Sequence, residues 1–288
     1  MTQTPSITVP LLVAAAAVLV FTGMDALVKG LPGELPVMQI VAMRFAFGLP
    51  PALLVGWWLR TPWPSAAAWR GNGLRGVLVL LSTAQFFFAV RTLPFAEALA
   101  LSFLAPLFIA TLSALLLGER MGLGLLGAVL IGLGGVAVIL AGGVMEAAPD
   151  ASLLGAAAAL GSAVTYAGSM VMLRRQAQRD PAITIVLVMQ VVPLAIAMPF
   201  AASAWVPPSP GVWALFVLIG MIGVGGHMCL TWAYARAPAG RLGVIDYTAL
   251  PYAAILGFAV FGEVPGLPVW LGGALIVVAC LWVSRLRG

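Results

Sequence analysis

Charge is what this sequence has least of. Of its 288 residues only 8% are Asp, Glu, Lys or Arg, while 62% are hydrophobic; an ordinary soluble domain carries about 25% charged residues. A chain this apolar cannot cover a water-facing surface with polar groups, so a soluble globular protein is excluded. One histidine, His227, and two cysteines, Cys229 and Cys280, supply neither a zinc site nor a disulfide framework. Both cysteines fall inside apolar stretches and read as buried, inert thiols. No P-loop, His-Glu-x-x-His or Gly-x-Ser-x-Gly motif occurs. The chain therefore reads as a non-enzyme without a cofactor, and any transport it performs is secondary or passive. The first ten residues hold no Lys or Arg, so the basic region of a cleavable signal peptide is missing. The short alternating segments of a membrane β-barrel are missing too, and continuous apolar runs such as 112–117 and 156–160 argue against one.

What the sequence does have is long hydrophobic stretches from end to end. A membrane span needs roughly 20 apolar residues, and ten fit, at approximately 9–30, 36–58, 74–92, 95–117, 122–141, 152–173, 182–203, 211–235, 239–262 and 266–284. The third and fourth meet at Pro94 with almost no loop. The fold class is thus an all-α membrane protein in a lipid bilayer. The net charge of +5 does not point to nucleic acid, because of where the basic residues fall. Arg60, Arg70, Arg75, Arg120, Arg174, Arg175, Arg179, Arg236, Arg241, Arg285 and Arg287 all lie on one side of the ten-span arrangement, against Lys29 and Arg91 on the other. Positive loops mark the cytoplasmic face, so both termini are expected in the cytoplasm. The short loops suggest a bacterial inner membrane. Trp57, Trp58, Trp63, Trp69, Trp205 and Trp213 flank loops as interfacial belts do; Trp232, inside a span, is the exception.

The two halves resemble each other. Residues 94–119 read PFAEALALSFLAPLFIATLSALLLGE, and residues 238–263 read PAGRLGVIDYTALPYAAILGFAVFGE. Each opens on Pro, carries an inner Pro (Pro106, Pro251) and closes on Gly-Glu (Glu119, Glu263); the outer landmarks are 144 residues apart, half the chain. Five spans per repeat is an odd number, so the second copy must insert upside down relative to the first. Inverted repeats are a hallmark of secondary transporters.

These motifs carry a family resemblance. Pro36…Arg44-Phe45, Pro106-Leu107-Phe108…Gly118-Glu119-Arg120, and the stretch from Ala233 to Pro265 make the chain similar to the ten-helix EamA branch of the drug/metabolite transporter superfamily. The resemblance implies two five-helix EamA-like repeats, 1–142 and 143–288, around a central cavity, working by alternating access. It also implies export of small metabolites, and overall likeness favours the YddG-type amino-acid exporters, with aromatic or other neutral amino acids as cargo. A passive facilitator or channel, or an exporter of another metabolite or drug, would share the same fold.

Polar groups inside spans are costly and are functional candidates by default. Asp25 and Arg44 both fall roughly 8–12 Å below the outer surface at 1.5 Å per residue, with Lys29 one turn from Asp25. They form a structural ion pair, a site for the charged ends of a zwitterion, or a proton-linked gate; protons are the candidate coupling ion. His227 and Asp246 mirror them in the inner half. His227, Thr231 and Tyr234 share one helix face, either as a cavity wall or as helix–helix hydrogen bonds. Ser162, Tyr166 and Ser169 recur at the same spacing. Thr83, Phe86, Phe87 and Val90 form a largely apolar stripe. The candidate substrate-binding residues are thus Asp25, Arg44, Thr83, Phe87, Ser162, Tyr166, His227, Thr231, Tyr234 and Asp246. With Arg44 as the one Arg or Lys within the spans, phosphate-bearing substrates are disfavoured. Pro106 and Pro251 are expected to kink their spans as hinges or as packing features. Glycine runs such as Gly220 to Gly226 suit close helix contact. Glu119 and Glu263 suit interfacial caps or loop salt bridges.

Overall fold

The computed structural model describes residues 8–117, 123–141, 149–237 and 242–285, and every regular element among them is helical. Gly118-Glu119-Arg120, Ala148, Pro238 to Arg241 and Arg287 lie outside the described residues, as do the side chains of Pro251 and Cys280. In chain order the helices are α1 (Thr8–Lys29), α2 (Val37–Trp58), α3 (Ala66–Thr92), α4 (Phe95–Ser102), α5 (Ala105–Leu117), α6 (Leu123–Ala141), α7 (Pro149–Gln176), α8 (Ala182–Ser203) and α9 (Pro210–Arg236). A 3-10 turn at Gly243–Thr248 then leads into α10 (Ala249–Phe261), and α11 (Leu267–Arg285) follows. Six helices, α1, α2, α3, α7 from Leu153, α8 and α9, are long and apolar enough to cross a membrane. Large apolar side chains such as Leu12, Leu54, Leu130 and Phe258 point outward, as they do where the surroundings are hydrocarbon. There the backbone must satisfy itself, which a helix does.

The helix ends differ from expectation in three places. α3 begins at Ala66 rather than 74, because Ser65 caps it and accepts from Ala68 N at 3.2 Å. Arg70 and Arg75, counted among the arginines of one membrane side, are therefore both helical. Arg75 is fully buried, donating to Ser169 O (3.3 Å) and Met189 Sδ (3.9 Å). The stretch 95–117 is broken rather than kinked: α4 ends at Ser102, and the chain turns at Phe103 and Leu104 before α5. The stretch 239–262 is broken by the 3-10 turn. Pro106 and Pro251 each fall in the first turn of the following helix, where a missing N–H leaves no intrahelical bond unmade. Proline here starts a helix after a break.

Helices of the two halves of the chain pack mainly on each other. α3 lies along α7, α1 along α9, α2 along α8, α6 along α11 and α4 along α10. Glycines permit the closest approaches. A Cβ on Gly220 would stand 2.6 Å from Phe47 C and 2.7 Å from Gly48 N, and one on Gly135 would stand 2.6 Å from Gly272 O. Small residues let helix backbones meet in this way.

Polar clamps tie helix ends together. Lys29, at the end of α1, donates to Val90 O (3.1 Å) and Leu93 O (2.8 Å) at the end of α3, and pairs with Glu263 at 3.0 Å. The other Glu263 oxygen accepts from Phe95 N (2.7 Å), capping α4. Near the end of α7, Arg174 donates to Ala237 O (2.9 Å) after α9, and Arg175 to Leu116 O (2.8 Å) in α5. Leu93 and Ala237 are the C-caps of α3 and α9, and Ser65 and Ser209 are their capping N-terminal serines. Both pairs are 144 positions apart.

Gly220→Ala should overpack the α2–α9 contact against backbone and cost about 1–3 kcal/mol. Gly225→Ala on the same helix meets nothing within 4 Å and should be neutral. Melting temperatures in detergent check this; equal values for the two variants would refute the close-packed seam.

Candidate functional site

Between the helices lies a cavity of about 190 Å³. At roughly 30 Å³ of liquid volume per water, that is room for about six waters. The two helix breaks open onto it, through Ser102 and Phe103 before α5 and Asp246 in the 3-10 turn. Much of its wall is apolar, with Val18, Phe21, Phe86, Phe87, Phe103 and Met170.

Arg44 is the cation of this wall. Its Nη1 donates to Thr83 Oγ1 at 2.8 Å, and its Nη2 stands 3.2 Å from His227 Nε2. A guanidinium has no acceptor. Nε2 must therefore accept, and the imidazole is neutral with its proton on Nδ1. That Nδ1 is buried and has no partner among the described residues. Phe21 holds the ring edge-on at a centroid distance of 4.9 Å. The guanidinium carbon lies 5.1 Å from the Phe45 ring centroid and 5.6 Å from that of Phe87. Behind it, a Cβ on Gly223 would approach Arg44 Nε to 3.3 Å. Arg44 is thus fixed by two rings and two neutral acceptors.

Asp25 faces the same cavity without touching Arg44. Among the described residues the one ion pair within 4.0 Å is Lys29–Glu263. Lys29, a possible partner for Asp25 by spacing, is turned to the clamp instead. No hydrogen bond or ion pair described here engages Asp25 or Asp246, and both line the cavity.

Of the ten candidate residues, Asp25, Arg44, Thr83, Phe87, Ser162, Tyr166, His227 and Asp246 line this space, and Pro106 joins them. Thr231 and Tyr234 do not. They lie buried one and two turns beyond His227, and their hydroxyls have no partner among the described residues. Ser102, Phe103 and Ser82 line the cavity without having been singled out. A signal for Ser102 existed, since it stands 144 positions before Asp246. The same offset relates seven pairs of lining residues: Val18 with Ser162, Thr22 with Tyr166, Asp25 with Ser169, Thr83 with His227, Phe86 with Leu230, Ser102 with Asp246, and Ala105 with Ala249. Thr83 and His227, the two acceptors that hold Arg44, are one of these pairs. No group of three or more potential metal ligands occurs among the described residues.

Known proteins are similar to this chain over most or all of its length. The sequence pattern of the EamA-like transporter family matches residues 8–141 and again 153–285. The pseudopaline exporter CntI of Pseudomonas aeruginosa strain UCBPP-PA14 is 31% identical over 285 residues, covering 96% of each chain. A riboflavin transporter of Rhizobium johnstonii is 31% identical over 231 residues, 79% of this chain and 72% of its own. Mouse solute carrier family 35 member G1 is 30% identical over 228 residues, 74% and 61%. A crystal structure of a protein 26% identical in sequence aligns with a TM-score of 0.70 over 98% of this chain and 100% of the other.

Thr83→Val keeps the shape of the side chain but removes the acceptor from a buried Arg44 N–H. It should cost about 1–3 kcal/mol, while Thr83→Ser should retain most of the stability. Thermal melts of the two variants check this, and equal losses would show that the Arg44–Thr83 bond contributes nothing.

Proposed function

The chain belongs to the EamA-like transporter family, and from that premise we propose that it exports small metabolites, amino acids foremost, across a bacterial inner membrane by alternating access. It is a multi-pass membrane protein and a transporter of small molecules. The proposal adds ten spans: the six long helices, the interrupted pair α4–α5 and 3-10 turn–α10, and the shorter α6 and α11. It divides them into two five-span repeats, 1–142 and 143–288, of opposite orientation, with both termini in the cytoplasm.

The observation that carries this reading is the set of seven cavity pairs separated by 144 positions. A common offset among residues that share one space is what a two-fold axis through the cavity would produce. The matched serine caps and C-cap clamps support it further. Under inverted topology the Lys29–Glu263 clamp and the Arg174/Arg175 clamp lie at opposite membrane faces. In an alternating-access cycle one clamp releases while the other holds. The broken helices supply the joints, as discontinuous helices do at transporter substrate sites.

Amino acids suit the space for three reasons. It is small. Its apolar wall can take an aliphatic or aromatic body. Its one lining guanidinium falls short of the several cations that a phosphate needs. The likeness to a pseudopaline exporter supports outward movement.

Purified protein in liposomes should show counterflow of labelled amino acids; a panel in which none moves, while other metabolites do, would sink the amino-acid reading. Pro106→Ala should let α4 and α5 join, slowing exchange several-fold while folded protein stays abundant; unchanged rates would remove the break from the mechanism. Reporter fusions after Trp63, Arg179 and Gly288 should report the cytoplasm, and fusions after Gly33 and Pro207 the opposite side. A cytoplasmic signal after Pro207 would break the five-plus-five arrangement.

A further inference from the structure

Asp25 is 8% exposed and Arg44 is 6% exposed. They face one cavity, one an acid and the other a base, and stand apart beyond ion-pair distance. Left to themselves, two such groups close on each other, because an unpaired buried charge is costly. Arg44 is prevented from doing so. Thr83 and His227 occupy its two ends, and the rings of Phe45 and Phe87 lie beside it. All four are neutral, so they fix the guanidinium without cancelling its charge. Two of its five N–H groups are engaged. The remainder form part of the planar fork that fits a carboxylate. A gap held open between a fixed cation and a carboxylate matches a molecule that brings both opposite charges close together.

Asp246 adds a third requirement. It enters the cavity from the 3-10 turn that leads into α10, and no cation among the described residues lies within ion-pair distance of it. Depth places it away from Asp25. Asp25 is four residues from the Lys29 clamp, roughly 6 Å along the helix, while Asp246 is fifteen residues from Phe261 at the same end, roughly 22 Å. Among the described lining residues the acidic and basic groups are thus two carboxyl groups and one guanidinium, and the complement is one carboxylate and two basic nitrogen groups, each of which can share or take the proton of an aspartate.

Resting on the amino-acid reading above, we infer that the cavity's substrate class is α-amino acids bearing a second, distal amino or other cationic nitrogen group. The α-carboxylate lies on Arg44, the α-ammonium faces Asp25, and the distal nitrogen reaches toward Asp246. This replaces the neutral or aromatic cargo suggested by family likeness with a basic one, because neutral cargo leaves Asp246 without a partner.

Lysine and its three single-group deletions test each contact separately. Cadaverine lacks the carboxylate, 6-aminohexanoate the α-amine, and norleucine the distal amine. In proteoliposome counterflow competition against labelled lysine, lysine should compete at least about tenfold better than each deletion, the scale of one lost charge-assisted hydrogen bond. Asp246→Asn should abolish the advantage of lysine over norleucine. Arg44→Gln should abolish its advantage over cadaverine. Ligand-induced shifts in melting temperature for the wild-type protein give the same ranking without any variant that must fold. Norleucine or leucine matching lysine would overturn the inference while leaving the amino-acid reading intact. Exchange of leucine or phenylalanine with no lysine exchange would do the same. Failure of every amino acid, with another metabolite exchanging, would overturn both.

Discussion

A positive charge held in the middle of an apolar bundle, by partners that are all neutral, is the constraint on which this structure turns. Burying a guanidinium with no carboxylate in contact is costly, and the chain commits several helices to doing it. α2 supplies Arg44 and Phe45, α3 supplies Thr83 and Phe87, and α9 supplies His227. Gly223 keeps the space behind the guanidinium free of a side chain. These three helices meet beside the cavity around a group that none of them neutralises. The cavity's polarity is therefore a property of the fold, while most of the remaining wall is apolar.

The second level of organisation is how the halves interlock. A bundle made of two independent five-helix units would bury each half against itself. Here α1 packs along α9 and α3 along α7, so each half completes the other. Backbone-to-backbone seams at Gly220 and Gly135 make these contacts stiff. Adjustable contacts are found at helix ends instead. Lys29, Glu263, Arg174 and Arg175 act mostly on C-terminal carbonyls, which carry partial negative charge and welcome cations. Such contacts can be exchanged for water near an interface at little cost, whereas the glycine seams cannot open without exposing backbone.

Much of this was legible in the sequence. The hydropathy runs located the helices, because hydrocarbon surroundings force apolar residues onto every helix face and leave no amphipathic ambiguity. The 144-residue offset was readable from Pro94, Pro238, Glu119 and Glu263. Eight of ten candidate residues line the cavity. The failures have physical causes. Arg75 was counted with the arginines between spans 2 and 3 because it stands at the very edge of the stretch 74–92, yet Ser169 O and Met189 Sδ accommodate it in the core. Spacing alone allowed Lys29 to reach Asp25, but its ammonium is drawn instead to two carbonyls and Glu263. Thr231 and Tyr234 share a face with His227, but the helix carries them past the end of the cavity. The helix breaks were invisible as breaks because proline reads the same whether it bends a helix or begins one.

Gly223 has a consequence for how such proteins diverge. It does not line the cavity, yet a methyl group there would lie 3.3 Å from Arg44 Nε and would ask the guanidinium to yield by a few tenths of an ångström. A displacement of that size changes the angle at which the fork meets its ligand while every wall residue stays the same. Two lineages could therefore carry identical cavity linings and accept different cargo, their distinction written one layer behind the wall. Comparing lining residues alone would call them equivalent, and a substitution at a glycine that touches no cargo would be the inherited difference between them.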